Sequence, residues 1–177
     1  AFLPAGTECE DINGETSQCL GGKPEKAEDP YSVGPVGGPK GVYHELRGAS
    51  GVRRIDADHF VTANEGDWKG GSRSFTIWKK DGTVVYESGT SLERAMASLG
   101  HYPDKRNKKG VELESVTVAT YGDRTLLFVA AERASLVGVY DLANLAGPKL
   151  LQILPSGISP EGLVTIPGRN LLASANE

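Results

Sequence analysis

The sequence predicts an all-β fold: a β-propeller fragment of about two and a half four-stranded blades, with one inserted helix. Three observations lead there. Short runs alternating apolar and polar residues recur between turn signals, the pattern of half-buried strands. The 23 glycines and 10 prolines in 177 residues supply those turns and are too many for a helical bundle. A strand–turn–strand motif also returns with corresponding glutamates 47 and 45 residues apart, close to the length of one four-stranded blade.

Residues 1–44 read as an irregular leader or loop, because the stretch 21–41 is rich in glycine and proline and poor in apolar residues. Residues 11–15 lack the spacing and closing glutamate of a calcium loop and read as a polar turn. Strands are expected at 59–64, 74–79 and 83–87, the last two joined by the hairpin signal Asp81-Gly82. A second set falls at 114–121, 125–131, 136–142 and 149–154, and a third at 162–166 and 171–175. The blades are thus placed at about 45–88 and 112–155, with a half blade at 161–177. The insertion at 90–109 contains the helix. Leu92, Ala95, Met96 and Leu99 form its apolar stripe, Thr90 and Glu93 read as a capping box, and Gly100 and Pro103 end it.

The repeat sets the register. Glu114-Ser115-Val116 leads through a strand and turn to Ala130-Ala131-Glu132, and Glu161-Gly162-Leu163 leads likewise to Ala175-Asn176-Glu177. Ala63-Asn64-Glu65 is a third copy of the ending, and residues 41–45 weakly echo 110–114. Two and a half blades cannot close a ring of about 4–8. A fragment of a longer protein is therefore expected, whose first partners are the remaining blades.

Charge and apolar runs exclude other classes. The net charge of −4 lies in residues 1–50, and the remainder is balanced, so no basic stripe suits nucleic acid. The basic cluster at 105–109 reads as a solvated loop, or else as an anion-facing patch. No apolar run is long enough to span a membrane. Cys9 and Cys19 in a polar stretch suit a disulfide and an oxidising compartment, the alternative being two unrelated thiols.

Antiparallel strands bring the start of each inner strand and the end of its neighbour to one mouth. Glu114, Glu132, Glu161 and Glu177, with Glu65, are expected to converge there, where crowded carboxylates repel and raise one another's pKa unless a cation intervenes. Hard oxygen donors suit Ca²⁺, Mg²⁺ or Mn²⁺, and an added histidine suits Mn²⁺ or Zn²⁺. Such an ion could polarise a phosphoryl oxygen and activate water. Alternatively, the glutamates only accept backbone or arginine hydrogen bonds, with Arg133 at hand. His101 could reach over the mouth as a ligand or catalytic group, or cap the surface; Asp67 could ligate a metal or cap its loop. His59 reads as structural, and His44 carries little signal.

The stretch 62–68, Gly70-Gly71-Ser72-Arg73, Gly100-His101-Tyr102-Pro103, Ala131-Glu132-Arg133, Ser159-Pro160-Glu161-Gly162 and Ala175-Asn176-Glu177 together resemble the choice-of-anchor I family. That family comprises exported bacterial β-propellers similar to phytase-like esterase and phosphotriesterase-like propellers. The resemblance implies a seven-bladed propeller and an extracytoplasmic location (periplasmic, secreted or at the cell surface). For the phosphotriesterase-like relatives it implies a two-metal phosphoesterase centre of glutamates and histidines. Leu113 precedes Glu114 where the pattern has proline. The expected function is part of an exported phosphoesterase using a divalent metal (Mn, Zn or Ca) to hydrolyse a small phosphate ester or triester. The metal set would be Glu65, Glu132, Glu161, Glu177, Glu114 and Asp67, with His101 catalytic. The alternative is a non-catalytic cell-surface or envelope interaction module.

Overall fold

In the computed structural model of the chain, residues 8–10, 16–18, 49–66, 72–103 and 109–177 are described. They are mostly antiparallel strand. A short hairpin, β1 (Glu8–Glu10) with β2 (Thr16–Gln18), lies within the stretch read as a leader. Cys9 sits on β1 opposite Ser17, whereas the Cys9 side chain and all of Cys19 are outside the described residues, as is the expected disulfide.

Two four-stranded sheets and a hairpin follow. The first sheet runs in order β3 (Ala49–Arg54), β4 (His59–Asn64), β5 (Phe75–Lys79) and β6 (Val84–Glu87). The second is β7 (Leu113–Tyr121), β8 (Arg124–Ala131), β9 (Leu136–Asp141) and β10 (Lys149–Pro155). The third pairs β11 (Pro160–Ile166) with β12 (Leu171–Asn176). Within each sheet every strand pairs antiparallel with its sequence neighbour, across connections of two to ten residues. Among the described residues no sheet closes on itself.

Alternation decides how the sheets stack. Along β8, Leu127, Val129 and Ala131 face the first sheet and join a core with Val61, Ala63, Phe75 and Ile77. The intervening Phe128 and Ala130, with Val137 and Val139 of β9, face the third sheet and pack on Leu163. The second sheet is therefore apolar on both faces, which explains the uninterrupted run from Leu126 to Ala131. β7 packs against both β3 and β11, so the first strands of the three sheets lie side by side.

Their approach is close at Gly51. A Cβ there would stand 3.0 Å from the Val116 nitrogen, 3.1 Å from the Ser115 Cα and 3.2 Å from the Glu114 carbonyl. Those atoms are backbone and cannot swing away, so Gly51→Ala is expected to cost about 1–3 kcal/mol, the usual range for overpacking. Chemical denaturation would measure it, and an unchanged midpoint would refute the tight contact.

Helix α1 (Ser91–Ser98) is where the stripe placed it, with two differences. Leu92 and Met96 enter the first core, and Leu92 covers Gly138 of β9. Leu99, beyond the last turn, is 57% exposed rather than packed. The capping box does not form: Thr90 makes no side-chain cap. Glu93 instead folds over Gly110, where φ is +66° and a Cβ would collide with its carboxylate, and it faces Arg73 at 3.5 Å.

Candidate functional site

The acidic residues gather at the end where β3, β7 and β11 begin and where β4, β8 and β12 finish. One backbone device recurs there. Leu113 pairs with Ala131 but Ser115 pairs with Ala130, so Glu114 is the extra residue of a β-bulge. Pro160 pairs with Asn176 and Gly162 with Ala175, which makes Glu161 the extra residue of the third sheet. Ala49 pairs with Asn64 and Gly51 with Ala63, leaving Ser50 in the same place in the first. A bulge breaks the two-residue alternation and re-aims one side chain. The structural counterpart of Glu114 in the first sheet is thus Ser50, whose hydroxyl donates to the Leu113 carbonyl at 3.0 Å. The weak echo of residues 110–114 in residues 41–45 lies outside the described residues.

A second device precedes each acidic bulge. Glu112 and Ser159, two residues before Glu114 and Glu161, adopt left-handed φ of +51° and +50°. Their carbonyls accept the amide protons of Glu132 and Glu177 at 2.8 and 3.1 Å. The bulge acid and the glutamate ending the adjoining strand are thereby fixed together in each copy. In the first sheet Glu65 is anchored through Asn64, which is fully buried in a polar network that the sequence reading missed. Trp78 Nε1 donates to Thr62, Thr62 donates to Asn64 Oδ1, and Asn64 Nδ2 donates to Ser74 and Thr76.

The structure brings Glu132, Glu161 and Glu177 together, with one carboxylate oxygen from each within 4.8 Å of the others. Glu132 is only 4% exposed, whereas Glu161 and Glu177 are exposed. Glu114 is the bulge residue at the same end of the second sheet. Its carboxyl is pushed up to about 7, first by burial and then by the negative charges of Glu65, Glu132, Glu112 and Glu161. Glu132 also rises to about 7, chiefly through burial and a shared hydrogen bond with Glu112, against the opposing pull of Arg133. Glu114 Oε2 is buried without a hydrogen-bond partner. That orphaned oxygen, among hard carboxylate donors, fits a divalent cation.

Among the described residues, Arg133 and Lys109 bring positive charge to the cluster. Arg133 places Nη1 2.8 Å from Glu132 Oε1 and donates from Nε to Glu112 Oε2 at 3.2 Å. Lys109 Nζ donates to Glu65 Oε1 at 2.9 Å. Of the cluster read as a solvated loop, Lys109 therefore faces an anion, and residues 105–108 lie outside the described residues. His101 Nδ1 lies 2.9 Å from the Ala134 carbonyl, a hydrogen bond in which Nδ1–H is the donor. It is thus tied to the turn that follows Glu132. Asp67 and His44 lie outside the described residues, and His59 pairs with Asp56 at 2.9 Å, away from the acids. Glu112 was missed by the sequence reading. Its only signal there is the position it shares with Ser159.

Residues 69–145 match the family model of the choice-of-anchor I domain. No curated protein and no solved structure matches the chain.

Proposed function

We propose that this chain is part of a cell-surface or envelope module, a propeller-like stack of four-stranded sheets whose acidic end binds one or more divalent cations. The observation that carries the cation is the meeting of Glu132, Glu161 and Glu177 beside the orphaned oxygen of Glu114. The choice-of-anchor I match supports the surface setting. Among the described residues no helix is long and apolar enough to cross a membrane. The partners expected are further sheets of the same kind. Val164, Ile166 and Leu171 on the outer face of the third sheet are exposed, whereas the second sheet covers the corresponding face of the first.

A second reading, a phosphoesterase, rests on Glu114 and Glu132, whose carboxyls are raised into the neutral range where a general acid or base works. A bound divalent ion would supply Lewis-acid polarisation of a phosphoryl oxygen. Glu114 would then take up a proton, and the turn held by His101 would border the substrate.

Elemental analysis and calorimetric titration with Ca²⁺ and Mn²⁺ test the first reading. Glu132→Gln should weaken binding at least tenfold with the far-ultraviolet circular dichroism unchanged, and a wild-type protein that binds neither ion would refute it. Phosphate mono-, di- and triesters test the second: turnover lost in Glu132→Gln supports catalysis, and no turnover with the ion bound leaves the surface module alone.

A further inference from the structure

The recurring bulge sets two corresponding positions for acids between neighbouring sheets. Glu132, after the end of β8, meets Glu161, the bulge residue of the third sheet. Glu65, after the end of β4, stands in the corresponding place relative to Glu114, because β3 and β4 both pack on β7 and the Ser50 hydroxyl donates to the Leu113 carbonyl at 3.0 Å. The two positions differ in what precedes them. The residues leading into β11 are Ser156, Gly157, Ile158 and Ser159, none of them cationic. The approach to β7 instead carries Lys109, whose ammonium lies 2.9 Å from Glu65 with both side chains largely shielded, 25% and 17% exposed.

We propose that Lys109 is a built-in cation that fills the first of these two corresponding positions, so that the acidic end takes one added divalent ion, at Glu132, Glu161 and Glu177, instead of two. This inference rests on the cation-binding reading. An ammonium is a compact positive charge with three donors, and it satisfies a carboxylate without the six or more oxygens that Ca²⁺ requires. A divalent ion entering between Glu65 and Glu114 would have to displace it. With the ammonium gone, Glu65 would face Glu114 and its orphaned Oε2 with no compensating charge from Lys109. Arg133 does not close the second position in this way. Its planar fork is engaged by Glu112 and Glu132, and Glu161 and Glu177 extend beyond it into solvent.

Calorimetric titration of Mn²⁺ into the full metal-free chain tests this, with elemental analysis as the independent count. Wild type should bind one ion, Lys109→Met two, and Lys109→Met combined with Glu65→Gln one again; Lys109→Arg should stay at one. In the otherwise wild-type chain, Glu161→Gln should weaken the single ion at least tenfold and Glu65→Gln should leave its affinity within about twofold. Two ions in wild type, or one ion in a folded Lys109→Met protein, would overturn the inference while leaving cation binding intact. If Lys109→Met does not fold, the Glu65→Gln and Glu161→Gln pair decides alone: the reverse order of effects overturns the assignment. A wild type that binds no Mn²⁺ overturns both this inference and the reading beneath it.

Discussion

Phe75→Ala is expected to remove about 3–5 kcal/mol of unfolding free energy, the range for deleting a buried aromatic side chain. Phe75 is fully buried at the seam between the first and second sheets. Its ring meets Tyr140 of β9 edge-on at 4.8 Å and Tyr86 of β6 at 5.7 Å, so three strands of two sheets lose contacts together. The loss is a large share of the roughly 5–15 kcal/mol that holds a typical domain. It should appear in urea or guanidinium unfolding as a sharply lowered midpoint. Val164→Ala, on an exposed face, serves as the control and should stay within about 0.5 kcal/mol. Equal effects at the two positions would mean that the sheets do not share a core.

Raising the pH from 5 to 8 is expected to lower the melting temperature of the metal-free protein, and a divalent cation at pH 8 should recover much of that loss. The sign follows from Glu114 and Glu132. Each rises from an ordinary 4.5 to about 7 in the folded state, so between those values the folded chain holds protons that the unfolded chain releases. Stability from this source is fully present below about 4.5 and is lost as pH climbs through about 7. On the cation-binding reading, an ion would replace the proton as the neutralising charge and so should act most strongly at the alkaline end. Glu114→Gln should flatten the slope, because the amide carries no charge to bury. Differential scanning fluorimetry across this range checks it. A melting temperature that stays flat or rises in the metal-free protein would contradict the burial assigned to these carboxyls.

The fold was legible wherever strands alternate or lie between clear turns. The run 59–64 became β4 without change, and the other expected strands shifted by one or two residues at their ends. β3 was not singled out, because Ala49, Gly51, Arg53 and Arg54 carry little apolar signal; its place comes from pairing with β4 and from the close approach at Gly51. The capping box at Thr90 and Glu93 illustrates a local motif overridden by tertiary contact, since Glu93 is drawn to Gly110 and Arg73. For the site, the repeat alone places Glu114, Glu132, Glu161 and Glu177 at one end. It could not reveal that Glu114 and Glu161 are bulge residues, because a bulge is a property of pairing between strands and leaves no fixed mark on one of them. Nor could it place Lys109 on Glu65, 44 residues away. The partners of a lysine depend on how the chain returns, not on its neighbours in sequence.

The three bulges have a consequence for how such a protein can change. At an ordinary strand position a substitution swaps a side chain that one face or the other must accommodate. At Ser50, Glu114 and Glu161 the extra residue belongs to neither face, and one backbone shape already carries a hydroxyl in one copy and a carboxylate in the other two. Each sheet therefore offers a single socket in which the chemistry of the acidic end can be rewritten while its packing is inherited unchanged. Ligand preference and fold can drift independently, one residue per sheet at a time.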